Sequence, residues 1–352
     1  MFSINIYNIY YLNTNNKVLY NFIPNIISFM DNIQLNIKTS QNLLGFSAGV
    51  DSTALFFLML EQKIEFDIAI VDYNQRAQSK DEVIYATQLA HKYGKKCFIS
   101  TYPENKKFSE KTARDFRHSF FDEIIEKNSY DALITAHQLN DKLEWFLMQL
   151  TKGAGLSELL GMEEISFKNN YCVLKPLLNY SKKSLQNFLD KNNIKYFVDE
   201  SNSDQKYKRN YFRHNFSDKL LEDFESGILN SFQYLQKDVE SLINSVTLEK
   251  IEQLHIYNTN NDMNLKIRVI DKDLKKRGII ISKATRDEII QKKEIVVSHK
   301  VSVSILEDKI WIAPFIKVTM DKKFKEKCRV FKIPSNIRGY LSTTEDQSLF
   351  NS

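Results

Sequence analysis

Leu44-Gly-Phe-Ser-Ala-Gly-Val-Asp-Ser-Thr53 decides the reading of this chain. The decapeptide follows a short apolar run, Asn42–Phe46, and leads into an apolar helix expected over Thr53 to Glu61. Small residues at 47–49 let backbone approach a ligand closely. Free N–H groups at the helix start, with the Ser47 and Ser52 hydroxyls, then point at an anion. No GxxxxGK[ST] occurs, and the spacing is not GxGxxG, so neither a Walker loop nor a dinucleotide fingerprint is present. Taken alone, the loop could also be a Gly/Ser turn with Asp51 as helix cap.

Outward from the loop the pattern alternates. Strands are expected at 67–71, 97–100 and 132–135, and helices at 82–93, 109–127 and 140–150. Short, continuously apolar strands between helices specify an α/β fold, a parallel sheet with helices on both faces. Six of the nine glycines lie between Gly45 and Gly161, and after Phe216 the chain changes character. There 220–246 reads as one or two helices, and 279–282, 295–305 and 309–316 read as strands, the last two joined at Glu307-Asp308. The expected division is an extension over 1–20, a main domain over 21–216 and a smaller α+β domain over 217–352. Ile23, Ile26, Ile27, Met30 and Ile33 recur at helical spacing ahead of the first strand.

Composition narrows the function. With 43% hydrophobic and 26% charged residues the chain is neither disordered nor collagen-like. No run of 18 apolar residues exists to span a bilayer. Residues 1–16 lack the positive charge and apolar core of a signal peptide, so a cytoplasmic protein is expected. Cys97, Cys172 and Cys328 are scattered and form no CxxC, which argues against a zinc ribbon, a dithiol or a clustered iron–sulfur site. His118 and His214 have no partners at metal spacing. The net charge of +5 is mild, but 175–213 carries nine Lys/Arg against four Asp/Glu, and 317–338 eight against two. Such stretches suit a polyanion such as RNA, or two solvated faces.

The loop closely resembles SGGxDS of the PP-loop ATP pyrophosphatases, with Ala48 where the first Gly is usual. Four later segments resemble one branch, the tRNA(Ile)-lysidine synthetases. Val71-Asp-Tyr-Asn-Gln-Arg76 with Ser79 is similar to VNHGLR..S, and Glu110 to Phe121 is similar to E..AR..RY.FF. Thr135 to Glu144 is similar to TAHHLDDQAET and runs into Lys152-Gly153-Ala-Gly155 and Gly161-Met162, similar to LxRGxGxxGLxGM. Lys175-Pro-Leu-Leu178, Asp199 to Asn202, Arg209-Asn210 and Arg213 are similar to RPLL…DxSN…RNxxR. Order and spacing agree over about 40–215. The departures are Gln138 for His, Asn140 for Asp, Trp145 for Thr, and Lys152 and Lys175 for Arg. Lys for Arg exchanges a bidentate fork for a point charge. Beyond 216 only the general layout fits.

The resemblance implies a PP-loop ATPase fold over 21–216 and a tRNA-binding second domain. It implies a ligase that uses ATP to adenylate the C2 oxygen of the wobble cytidine in the isoleucine tRNA with a CAU anticodon. Free L-lysine then displaces AMP, giving lysidine. Ser47, Ala48, Gly49, Val50, Asp51 and Ser52 would bind ATP, with Asp51 at Mg2+. Asp72, Arg114, Arg117, His137, Asp141 and Glu144 would serve catalysis, lysine or nucleotide. Lys152, Lys175, Arg209 and Arg213 would meet tRNA.

Each assignment has an ordinary structural alternative. Asp141 and Glu144 share a helix face and suit a lysine ammonium, or simply the helix dipole. Arg114 and Arg117 suit a phosphate, or a solvated face. His137 suits a nucleotide, or a satisfied strand end. The basic residues of 175–213, including Lys182, Lys183, Lys206 and Lys208, interleave with Tyr180, Tyr207, Tyr211 and Phe212, which could stack on a splayed base or pack in the core. A tRNA thiolase is the nearest rival, opposed by the scattered cysteines. A small-molecule amidotransferase lacks a glutaminase signature. A non-catalytic RNA-binding relative draws support from Ala48, Gln138 and Asn140.

Overall fold

A computed structural model of the chain describes residues 33–75, 78–105, 107–168, 170–198, 208–244, 246–260, 262–346 and 348–350. The expected helix and extension before residue 33, and Arg76, Asp199, Asn202, Lys206 and Tyr207 of the segments above, lie outside these. The chain divides into two compact units, 1–231 and 232–352. The division expected at 216 falls instead fifteen residues later, inside a helix, because 218–231 stays with the first unit.

The first unit is built on six strands: β1 (Asn42–Gly45), β2 (Asp67–Asp72), β3 (Cys97–Thr101), β4 (Ala132–Ile134), β5 (Ile165–Phe167) and β6 (Cys172–Leu174). Their order is β3-β2-β1-β4-β6-β5. All neighbours are parallel except β5, which pairs antiparallel with β6 as a short edge hairpin. The helices are α1 (Val50–Glu61), α2 (Gln78–Lys92), α3 (Glu110–Asn128), α4 (Leu139–Leu150), α5 (Leu156–Leu159), α6 (Lys182–Lys191) and α7 (Lys208–Phe212). A five-residue π-turn, Arg213–Ser217, leads from α7 into the 27-residue α8, Asp218–Asn244.

Period-two alternation places the strands between two cores. Leu44, Ile68, Ile70 and Ile134 pack with α1, α2 and α6 through Leu55, Phe56, Ala86, Leu89, Leu185 and Leu189. Leu43, Ala69 and Leu133 pack on the other face against Phe121, Ile124 and Ile125 of α3. Helix α3 begins with a capping box between Ser109 and Thr112. The topology turns outward from β1 in both directions, so a switch point lies between β1 and β4. In such sheets the crevice beyond the strands' carboxyl ends is the ligand site.

The second unit holds a five-stranded antiparallel sheet, ordered β7-β8-β11-β10-β9. The strands are β7 (Thr247–Ile251), β8 (Leu254–Asn258), β9 (Glu294–Val297), β10 (Val301–Leu306) and β11 (Lys309–Pro314). One face is covered by α9 (Met263–Lys276) and α10 (Lys283–Lys292), the other by α11 (Lys322–Val330) and α12 (Arg338–Leu341). Residues 279–282, expected as a strand, are instead the connection into α10, where Ser282 is the N-cap. The expected strand at 295–305 is two strands, folded by a turn in which Ser298 and His299 both have φ above +50°.

Candidate active site

The loop after β1 is shaped by its backbone. Gly49, at φ −75° and ψ 173°, is the N-cap of α1. Asp51 is the second residue inside the helix, which corrects the capping alternative. The first intrahelical bond is donated by Thr53 N–H to the Gly49 carbonyl at 2.9 Å. The amides of Val50, Asp51 and Ser52 therefore project beyond the helix N-terminus. Ser52 Oγ accepts from the Ser47 N–H at 3.1 Å, stands 3.1 Å from Ser47 Oγ and donates to the Gly49 carbonyl at 3.3 Å. Phe197 N–H donates to the Ala48 carbonyl at 2.9 Å and ties the loop to a segment far along the chain.

The departure at 48 has a definite geometry. Ala48 is fully buried and sits at φ +60°, in the left-handed region. The loop does use a positive φ there, and Ala adopts it. Gly49 takes an angle open to any residue.

Asp51 is the electrostatic centre. Its Oδ1 is buried and, among the described residues, has no hydrogen-bond partner. Burial first, then the Asp141 charge, raises its pKa from 3.8 to about 7, against the pull of Lys182 and Arg213. Glu144 adds to the rise.

Asp141 and Glu144 come from α4, Arg213 from the π-turn after α7, and Lys182 from α6. Gln138, where His is usual, is the N-cap of α4: its side-chain oxygen accepts from Asn140 N–H at 2.5 Å, and its own N–H donates to Asp141 Oδ2 at 3.0 Å. Arg209 donates from Nη2 to Asp141 Oδ1 at 2.5 Å and from Nε to Glu144 Oε2 at 2.8 Å. Arg213 donates from Nε to Glu144 Oε1 at 2.6 Å and from Nη2 to Oε2 at 3.3 Å. The Glu144 side chain is 1% exposed, those of Arg213 and Arg209 17% and 36%. Asp141 and Glu144 are thus a buried pair, not a solvated helix face. The two arginines, expected at tRNA, pair with these carboxylates in the free chain. Their i,i+4 spacing on one helix face is the sequence signal for that pairing.

The remaining candidates separate. His137 Nδ1 lies 2.9 Å from Thr135 Oγ1. Burial chiefly, and then nearby Lys175, Arg209 and Arg117, hold its pKa well below the usual value despite Asp141, so the ring is neutral at pH 7. Arg117 hydrogen-bonds Tyr73 just beyond β2, whereas Arg114 is exposed. Asp72 turns back to accept from Asn74 N–H at 2.8 Å and stabilises its own loop. Lys152 is exposed in the turn after α4. Lys175 Nζ donates to the Glu163 carbonyl at 3.1 Å. Lys182, read from the sequence only as part of a basic stretch, begins α6 and acts on the Asp51 charge.

No group of three or more His, Cys, Asp or Glu among the described residues forms a metal cage. One carboxylate beside a phosphate loop nevertheless fits Mg2+, which takes one or two protein carboxylates and completes its shell with phosphate and water. The unpartnered Asp51 Oδ1 has the donor chemistry such a ligand needs.

A family model, the PP-loop domain ATP_bind_3, matches residues 22–220. A tRNA(Ile)-lysidine synthase of Campylobacter jejuni strain RM1221 is 41% identical over 312 residues, 88% of this chain and 95% of that protein. One from Helicobacter hepaticus is 40% identical, covering 87% of this chain and 82% of that one. Among solved structures, the U34-tRNA thiolase NcsA of Methanococcus maripaludis is similar at TM-score 0.46 and 16% identity, over 63% of this chain and 78% of that one. Such identity over nearly the whole of both partners, with a PP-loop domain model matched over 22–220, places the chain in the tRNA(Ile)-lysidine synthase family of PP-loop proteins.

Proposed function

We infer that the protein is an ATP-dependent ligase that makes lysidine on tRNA(Ile). Its substrates are free L-lysine, ATP and the isoleucine tRNA with a CAU anticodon, and its products include AMP and pyrophosphate. The observation that carries this reading is the meeting of the phosphate loop with a buried Asp141–Glu144 pair under two arginines at the sheet's switch point. A ring carbonyl oxygen is a poor leaving group, and adenylation makes it a good one. The reaction therefore needs an anion site and an amine site side by side.

The roles follow from chemistry. The amides of Val50, Asp51 and Ser52 and the hydroxyls of Ser47 and Ser52 receive the pyrophosphate. Ala48 and Gly49 give it room. Asp51 would hold Mg2+, which would supply neutralisation of phosphate charge. Asp141, Glu144 and Arg209 make a cradle of both signs that suits the ammonium and carboxylate of a free amino acid. Neutral His137 and Arg117 face the nucleotide as hydrogen-bond donors. Lys152, Lys175 and the exposed basic residues of 217–352 meet tRNA phosphates. No helix among the described residues is long and apolar enough to cross a membrane, and a cytoplasmic location matches the three substrates.

The non-catalytic alternative loses its footing. Ala48 adopts the required backbone, Gln138 caps α4, and both ends of the Asn140 amide are engaged. The decisive measurement is AMP release from ATP with tRNA and lysine each added or omitted. Release that needs both is expected. Release that needs tRNA but not lysine would move the reading to another nucleophile, and none in any combination would end it.

A further inference from the structure

Asn140 stands where the family motif has Asp, and its side chain joins three separate elements. Its Oδ1 accepts from the backbone N–H of Lys182, the first residue of α6, at 3.1 Å. Its Nδ2 donates to Asp218 Oδ1, at the first residue of α8, at 2.8 Å. It is buried, only 7% exposed, and sits beside Asp141 on α4. A buried amide with one donor and one acceptor used in opposite directions fixes its own orientation. A carboxylate could not do the same, since it would face the Asp218 carboxylate with no proton to donate.

The two partners matter for what they carry. Lys182 brings a cation whose charge pulls the Asp51 pKa down. Asp218 closes the π-turn that begins at Arg213, the guanidinium gripping Glu144. π-turns are rare insertions in a helix and recur at functional sites. An anchor immediately after one sets the angle at which the preceding side chain is presented.

We propose that Asn140 is a positioning residue for the ligase site: through Lys182 N–H and the Asp218 carboxylate it holds Lys182 and Arg213 in register around Asp51 and Glu144. The Asn140–Asp218 pair is then a matched unit. Asp at 140 is excluded here because Asp218 is its partner. The proposal rests on the ligase reading for its kinetic arm and on geometry alone for its binding arm.

The test is a charge-exchange cycle of wild type, Asn140→Asp, Asp218→Asn and the double variant. In Asn140→Asp, like charges meet at 140 and 218. In the double variant, Asn at 218 donates to Asp at 140, which still accepts from Lys182 N–H. Two quantities are measured: the lysine KM and kcat of tRNA-dependent AMP release, and the affinity for α,β-methylene-ATP with Mg2+ by calorimetry. For Asn140→Asp we expect a lysine KM about tenfold higher, with a smaller change in kcat, and analogue affinity about tenfold lower. The double variant should return both to within about threefold of wild type. A merely structural Asn140 would lower the melting temperature and leave KM and affinity in place, and that result overturns the proposal. So does a double variant as impaired as Asn140→Asp. If wild type itself shows no lysine-dependent release, the ligase reading fails, while the analogue titrations still decide whether Asn140 positions the phosphate site.

Discussion

At residue 48 two effects of similar size oppose each other. A left-handed backbone at a residue with a Cβ is unfavourable by about 1–2 kcal/mol. The methyl that causes it is fully buried, which returns about 0.8 kcal/mol, and Gly would add about 0.5–1 kcal/mol of unfolded-state freedom. Ala48→Gly should therefore be nearly neutral, with a melting temperature within about 4 °C of wild type. Ala48→Val, branched and buried at the same φ, should destabilise by more than about 2 kcal/mol in thermal denaturation. Asp51 gives a prediction with a sign. Its pKa is 3.8 unfolded and about 7 folded, so the free protein loses stability as pH rises from about 4 to about 7 and is level above. Asp51→Asn escapes that loss. Its unfolding free energy in urea should match wild type near pH 4 and exceed it by an amount growing at about 1.4 kcal/mol per pH unit up to pH 7, while turnover is abolished. The loop's sequence announced an anion site, since small residues and a helix start are local features. It could not announce that Asp51 is ringed by Asp141, Glu144, Lys182 and Arg213, because those neighbours exist only once the sheet has formed.

Between elements, α4 and the α7–π-turn segment are joined through a buried ion-pair cluster. Glu144→Ala would leave Arg209 and Arg213 without their shared partner, and removing one side of a buried pair typically destabilises by about 3–5 kcal/mol. Arg209→Ala should do less, about 1–2 kcal/mol, since Glu144 keeps Arg213 and Arg209 is a third exposed. Urea denaturation of the two variants checks the order. Arg213→Ala should leave the salt slope of tRNA binding unchanged, because its guanidinium is spent on Glu144 rather than on a phosphate. In the second unit, Asp273 is fully buried on α9. Burial alone would raise its pKa, but hydrogen bonds from His255, Tyr257 and Arg277 outweigh it and lower the carboxyl to about 2. That stability, on the order of 2 kcal/mol, is complete above about pH 4 and lost as pH falls through 2. Asp273→Asn should flatten the acid limb of a pH-melt series. Long, periodic elements were readable: α1, α3, α4 and the four main parallel strands stand within a few residues of expectation. The failures share a cause. Ile279 and Ile281 pack in the core while Ile280 is exposed, a period-two alternation that reads as a strand but is a helix lead-in, and 295–305 hides a turn at Ser298 and His299 that carries neither Gly nor Pro.

Taken whole, the described residues carry their most concentrated exposed positive charge on α11, where Lys322, Lys323, Lys325, Lys327 and Arg329 are all solvent-facing. Replacing Lys322, Lys323 and Lys325 by Gln should weaken tRNA binding and lower the slope of log affinity against log salt by about 0.7–0.9 for each phosphate no longer neutralised. AMP release with saturating tRNA should change little. The glycine distribution suggested a change of character near 216, whereas the boundary between the two compact units lies inside α8, and helical periodicity does not register which body a turn packs on. The hydrogen bond from Phe197 to Ala48 has a consequence in time. A chain made from its amino terminus exposes the phosphate loop about 150 residues before Phe197 exists, roughly 8–30 seconds of synthesis at ordinary speeds. Arg209 and Arg213 arrive later still. Throughout that interval the nascent polypeptide holds the loop with neither its tether nor the charges that act on Asp51, so the site is assembled only when translation of the first unit is nearly done.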